Sequence, residues 1–411
     1  MTLIRPPAPT PWIARKAISC VPRDLREAYR VAGVRLPALH GDRPGGTMAG
    51  PGESLVKGFR MTAQPEVTAD QHRSGERESA LFDPTVAAPP LVDVARFGFE
   101  GPLAATAAAW SEDAVYWEYT KAANPIGAGY TTPVPVERFP AELHAGGATR
   151  VIPLDLAEPM RIAGGPATSP ALLANFVRIN AGDRLTVRPN ATSQLYYVMY
   201  GRGVSLVGGQ AVEWEKGDFL VLPDLGEITH HAAQESLFYW VHDEPLLRYL
   251  GVTPNQARFR PTKFSRHRAV EELTRIAEAP GANAKNRVSV LLNTIDQDQT
   301  LTVTHTLWAM FGLLPVDQIQ RPHRHQSVAL DLILDCEPGC YTLLGDRLDE
   351  HGEIVDPQRV DWRPGGAFVT PPGKWHAHHN ESGSPAHLIP IQDAGLQTYL
   401  RSLDIRFSDR R

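Results

Sequence analysis

The chain repeats itself. Residues 212–223 read VEWEKGDFLVLP and residues 360–371 read VDWRPGGAFVTP. Without gaps the two share a Val, an acid, a Trp, a Gly, a second Val and a Pro, six of twelve positions. Trp and Pro rarely coincide by chance, so the match marks an internal duplication. Each copy sits among short apolar runs of strand length. The first group is LLANFVRINAGD, QLYYVMYG, GVSLVGG, GDFLVLP and SLFYWVHD; the second includes NRVSVLLNTI, VALDLIL, GCYTLLGD, GGAFVTPPG and AHLIPIQDA. Gly, Pro and Asn separate the runs, and the 34 Gly and 36 Pro suit a chain of many turns. The pattern predicts an all-β protein with minor helices, built as two stacked barrels or jelly rolls in one chain.

The halves are flanked unequally. Residues 1–60 are rich in Pro and Gly and carry ten Lys/Arg against four Asp/Glu. They read as a disordered extension, with Met48 or Met61 as the expected native start. Residues 61–150 form an N-terminal arm, with a short helical segment expected within 100–125. The first β domain is expected over 151–260 and the second over 286–411. Between them, 261–285 reads as a linker helix, with Val270, Leu273 and Ile276 near helical spacing. A net charge of -5 argues against a general nucleic-acid binder. No run of about 18 apolar residues predicts a membrane span. Three cysteines make no disulfide framework, which fits a reducing cytoplasm.

Chemistry concentrates in the second half. QRPHRHQSVALDLIL starts at Gln320 and places His323 and His325 two residues apart. In a strand those side chains share a face, while Arg324 points oppositely. Two neutral imidazoles converging on one point suit a divalent metal, although a pair of surface histidines would read the same way. Further on, GGAFVTPPGKWHAHHN fits G-x5-P-x-G-x2-H-x3-N through Gly365, Pro371, Gly373, His376 and Asn380.

These two motifs resemble those of the cupin superfamily, in which both sets of histidines meet inside a small barrel. The resemblance implies one metal site made by His323, His325 and His376. A Glu four residues after the second His is a fourth ligand in many cupins; here that position is Ala329. A three-His site with HRHQS and WHAHHN is similar to the gentisate and salicylate 1,2-dioxygenase group of bicupins. It implies Fe(II) first and Mn(II) next, with Zn, Ni and Cu left open by the ligand set. It also implies a small aromatic substrate and O2 as partners, and sheet edges make a homo-oligomer a natural expectation. The first half lacks the histidine pair: VRPNATSQLYYVMYGRG offers only Asn190 and Thr192 near those positions, and Ile228 stands where His376 would be. The metal of the gentisate enzymes typically sits in the N-terminal cupin, so this chain departs from them.

Parity places Ser327, Ala329 and Asp331 on the ligand face. The resemblance puts an Arg that binds the substrate carboxylate where Asp331 stands, so a simple hydroxybenzoate is not assured. Asp331 is either a hydrogen-bond acceptor and base for the substrate, or a structural acid paired with a nearby Arg or rotated outward by a bulge. His378 resembles a pocket histidine of the family that contacts substrate or oxygen. Gln326, Ser327, Trp375, Arg287 and His305 are further substrate-contact candidates, with packing or core roles as the alternatives for Trp375 and His305. The reading is an Fe(II)-dependent ring-cleaving dioxygenase of aromatic catabolism, acting on a hydroxylated or amino-substituted aromatic acid. Two alternatives stay open: an oxygen-independent metal cupin, isomerase or hydrolase of a small polar metabolite, and a non-catalytic small-molecule-binding bicupin.

Overall fold

The computed structural model describes residues 114–282 and 287–409. The extension over 1–60 and most of the expected 61–150 arm lie outside them. Residues 114–128 belong to a separate compact unit, within which Tyr119–Ala122 forms one helical turn. Everything below concerns residues 129–409.

Four antiparallel sheets carry the fold. In the first half, a six-stranded sheet runs Thr262–Phe264, Phe219–Leu222, Gln194–Tyr200, Ser236–His242, Leu173–Ile179, Arg150–Pro153. It faces a four-stranded sheet of Arg184–Val187, Ile228–Ala232, Arg202–Val207 and Gln210–Glu215. The second half repeats this layout. Its six-stranded sheet runs Arg138–Phe139, Ala367–Thr370, Ala329–Asp335, Ala386–Gln392, Trp308–Leu314, Val288–Leu292. Its smaller sheet has five strands: Gln358–Asp361, Cys340–Gly345, Trp375–Asn380, His323–Arg324 and Arg406–Phe407. The edge strand Arg138–Phe139 comes from the chain preceding the first half, so the second barrel is completed by a segment far away in sequence.

Alternation sorts the side chains into three cores. Val177, Ile179, Tyr196, Val198, Phe238 and Trp240 fill the first barrel. Ile333, Leu344, Val360, Trp362, Phe368 and Leu388 fill the second. The opposite faces of the six-stranded sheets share one larger cluster: Phe176, Leu237 and Tyr239 of the first half join Leu330, Leu332, Ile389 and Ile391 of the second. Strands buried on both faces lose the polar alternation of a one-sided strand, which explains near-continuous runs such as SLFYWVH.

The helix expected between the halves spans Arg266–Ala277, with the Ser265 hydroxyl capping its N-terminus. Its buried face is Ala269 and Leu273, backed by Ile276, whereas Val270 is exposed. The expected stripe is therefore rotated: Ala269 is small enough to let the backbone approach the sheet. No helix of the described residues is long and apolar enough to cross a membrane.

Candidate metal centre

His323 and His376 are register partners on adjacent strands, and His325 follows one turn of chain later. One nitrogen from each of the three lies within 4.8 Å of the others, and all three side chains are buried. The backbone orients each ring. Nδ1 of His323 donates to the Arg321 carbonyl at 3.1 Å, Nδ1 of His325 to the Ser327 carbonyl at 2.9 Å, and Nδ1 of His376 to the Lys374 carbonyl at 3.0 Å. A neutral imidazole that donates through Nδ1 has its lone pair on Nε2. Three Nε2 lone pairs are thus directed at one volume, which is the donor set a divalent transition metal takes, with backbone partners of the kind that hold metal ligands in place. Burial, and then neighbouring positive charge, hold His323 and His376 well below the usual histidine range; burial takes His325 to about 4. All three are neutral at pH 7, so the site is ready for an ion without losing protons.

Around the triad, Ser327 is buried; its hydroxyl lies 3.0 Å from His325 Nδ1 and donates to Gln392 Oε1 at 2.8 Å. Phe407 stacks on His323 with ring centroids 5.7 Å apart. Arg287 brings a charged group to the triad. Its guanidinium donates to His323 Nε2 and to Gln320 Oε1, each at 3.3 Å. Burial lowers its pKa, and Asp331 opposes the shift. Asp331 is buried inside the barrel, as parity expected, and accepts a 2.8 Å bond from Thr370 Oγ1. Burial pushes its carboxyl up to about 6 against the pull of Thr370 and Arg287. His378 shares the inner face; its ring centroid is 5.8 Å from that of His376 and 6.3 Å from that of His323.

Three candidates stand elsewhere. Gln326 is exposed, and its side-chain oxygen accepts the Asp404 N–H at 2.6 Å. The chain turns between His325 and Ala329, so a position adjacent to a ligand does not face the ligand. Trp375 is out of phase with His376, and the Arg324 guanidinium lies 5.0 Å from its ring on the opposite face. His305 lies in a loop where its Nε2 meets Thr192 Oγ1 at 2.8 Å and its ring meets Phe259. Around it, repeated threonines bond the local backbone in place of a strand ladder. Phe407, Thr342 and Trp362 line or support the centre and were not singled out by the motifs.

The first half holds no such triad among the described residues. Asp243 accepts the Ser193 N–H as Asp393 accepts that of Val328, and Gln194 pairs with His242 as Ala329 pairs with Gln392. This register puts Arg188 and Asn190, rather than Asn190 and Thr192, at the positions of His323 and His325. His230 is buried and bonded to Ser205 at 2.6 Å.

No family model matches the chain. Over 150 residues it is 28% identical to 5-aminosalicylate 1,2-dioxygenase of Comamonas sp., covering 34% of this chain and 40% of that protein. Over 158 residues it is 27% identical to 1-hydroxy-2-naphthoate 1,2-dioxygenase of Nocardioides sp. strain KP7, covering 38% of each. The matches thus span about two fifths of the length of these curated relatives. Among solved structures, salicylate 1,2-dioxygenase from Pseudaminobacter salicylatoxidans superposes with a TM-score of 0.54 at 13% identity, over 75% of this chain and 99% of that one. The same enzyme as its gentisate adduct gives 0.53 at 16% identity, over 75% and 94%. At such identity the likeness is one of fold: two antiparallel β barrels in one chain.

Proposed function

We propose that the chain is a ring-cleaving dioxygenase for a hydroxylated or amino-substituted aromatic acid, with Fe(II) held by His323, His325 and His376. The observation that carries this reading is the guanidinium of Arg287 set 3.3 Å from one Nε2 of a neutral three-imidazole cluster. An ion held by neutral ligands keeps its full positive charge, and a second cation beside it calls for an anion between the two. An aromatic acid would meet that demand, its carboxylate facing Arg287 and an adjacent hydroxyl or amine turned toward the ion that His323, His325 and His376 would hold. Iron bound there would supply the electrons and the open positions at which substrate and O2 meet. Arg287 then fixes the ring through charge-assisted hydrogen bonds. Asp331, whose carboxyl titrates at about 6, stands inside the barrel to take a proton from the ring substituent. His378 offers a hydrogen bond to an oxygen at the centre. The relatives named above as aromatic 1,2-dioxygenases support the same class.

The test is oxygen uptake by protein reconstituted anaerobically with Fe(II), offered gentisate, salicylates, aminophenols, catechols and hydroxyanthranilates. Uptake with at least one aromatic acid, absent in His376→Ala, is expected. Stoichiometric iron with no uptake across the panel would overturn the reading.

A further inference from the structure

The second barrel contains four inward imidazoles, and they are not held alike. His323, His325 and His376 each present Nδ1 to a backbone carbonyl, which can only accept. His378 presents Nδ1 to a hydroxyl, Thr342 Oγ1, at 2.8 Å. That hydroxyl also meets Trp362 Nε1 at 2.8 Å. An indole N–H donates and cannot accept, so Thr342 is the acceptor of that bond. The hydroxyl's one proton then needs an acceptor of its own, and among the described residues His378 Nδ1 is the one within hydrogen-bond distance of Thr342 Oγ1. His378 Nδ1 is therefore an acceptor, and the ring's proton sits on Nε2. Thr342 and His378 are register partners on neighbouring strands, and Nε2 lies across the ring from the nitrogen that Thr342 engages, in a ring whose centroid is 5.8 Å from that of His376 and 6.3 Å from that of His323. Trp362, Thr342 and His378 are all buried, which leaves solvent no part in the choice of tautomer.

We infer that Thr342 and Trp362 are positioning residues that lock His378 as an Nε2–H donor facing the three-His centre, excluding it from the metal's ligand set. The same chain of bonds that makes His378 a donor withholds the lone pair a fourth ligand would need. The donor stands beside the position where an anionic oxygen of the substrate would develop charge, the preorganised arrangement that electrostatic stabilisation requires. This use of the donor rests on the dioxygenase reading; the tautomer and the ligand exclusion do not.

The duplicated half supports the assignment. Trp214 Nε1 donates to Ser205 Oγ at 2.9 Å, and Ser205 Oγ meets His230 Nδ1 at 2.6 Å. Ser205 and His230 are again register partners. The indole, hydroxyl and imidazole recur in the same order, with Ser in place of Thr. There the resulting Nε2–H of His230 is buried without a hydrogen-bond partner among the described residues. A barrel without the triad thus keeps the donor but offers it no acceptor.

The experiment reads ring nitrogens and metal affinity, not turnover. In metal-free protein labelled with 15N-histidine, His378 is assigned by loss of its signals in His378→Gln. The expected pattern is a bare Nδ1 and a protonated Nε2 for His378, with the reverse for His323, His325 and His376. Thr342→Val should abolish that pattern and Thr342→Ser should keep it. In Zn(II) titrations, His378→Gln should leave the dissociation constant within about threefold, whereas His376→Ala should weaken it by ~100-fold or more. A proton on Nδ1 of His378, an unchanged pattern in Thr342→Val, or a loss of Zn(II) affinity in His378→Gln as large as in His376→Ala would each overturn the inference. If Thr342→Val does not fold, the wild-type pattern and the zinc comparison still decide. If no aromatic consumes oxygen, the dioxygenase reading fails while these readouts stand on their own.

Discussion

Arg287 and the buried acid Asp331 shape what the centre can accept. Arg287 is expected to hold the substrate carboxylate, so Arg287→Met should raise KM for a carboxylated ring by roughly 10–100-fold, the worth of a charge-assisted hydrogen bond of about 1.5–3 kcal/mol. A catechol without the carboxylate should lose little, and Zn(II) affinity should hold; equal losses for both substrates would place Arg287 outside the substrate site. Asp331 couples function to stability with opposite signs. Its folded carboxyl titrates at about 6, above the ordinary carboxylate, so the folded state holds a proton that the unfolded chain has released. Stability from this group is full below the unfolded value and lost as pH rises through about 6. Asp331→Asn should therefore stabilise the protein at pH 8, by at most ~3 kcal/mol, and change little at pH 4. The same variant should lose the rise in kcat/KM through pH 6 that a carboxylate base produces. Thermal melts and pH–rate profiles check both, and a variant that keeps the rise would assign it to another group. The triad was legible because a two-residue spacing and a fixed second motif survive any loop between them. Gln326 and Trp375 stand next to ligands in sequence but point elsewhere, Gln326 to the Asp404 N–H and Trp375 to the Arg324 guanidinium, because alternation gives neighbouring residues different faces. Thr342 and Trp362 had no motif of their own; the only trace was the Trp shared by the duplicated segments, which does not reveal what the indole bonds to.

At the scale of elements, the helix Arg266–Ala277 shows how periodicity can name an element and mistake its face. Val270, Leu273 and Ile276 share helical spacing, yet Val270 is 41% exposed while Leu273 is 4% exposed. The buried stripe runs through Ala269, an apolar residue too small to weigh in a count of large side chains. Leu273→Ala should destabilise the protein by about 2–5 kcal/mol, as removal of a buried leucine does, while Val270→Ala should stay within ~0.5 kcal/mol. Denaturant midpoints for the two variants check the register of the helix; equal losses would mean that the expected stripe is the buried one. Strand His323–Arg324 makes the complementary case. Two residues long, it carries a ligand because it is gripped on both sides, by Trp375–Asn380 and by Arg406–Phe407. The second grip comes from the end of the described chain, where RFS offers no periodic signal, so sequence reading had no means of bringing Phe407 to His323.

At the scale of the molecule, the duplication was visible in twelve residues, but the way the two barrels join was not. Each strand of the shared interface reads as a continuous apolar run, which is equally the signature of any strand buried on both faces. Only the fold shows that the outer faces of the two six-stranded sheets pack on one another. The cluster holding Phe176, Tyr239, Leu330 and Ile389 belongs to both halves, and the edge strand Arg138–Phe139 reaches the second barrel from the chain ahead of the first. Separating the halves would expose that entire surface, so they should unfold together although only one carries the triad. A ligand that binds only the folded state stabilises it by about 2.7 kcal/mol at 100 times its dissociation constant. Zn(II) at that excess should therefore raise the protection of amides in Ser236–His242, in the half without the triad, as much as in Ala386–Gln392. Hydrogen exchange under mildly denaturing conditions reads both strands in one experiment. A gain confined to Ala386–Gln392 would show two barrels folding independently, with the apolar layer between them acting as a contact and not as a common core. An equal gain would mean that the barrel without the triad takes part in holding the triad in place, because any opening of its sheet also uncovers the wall behind Asp331 and the strand that follows His325.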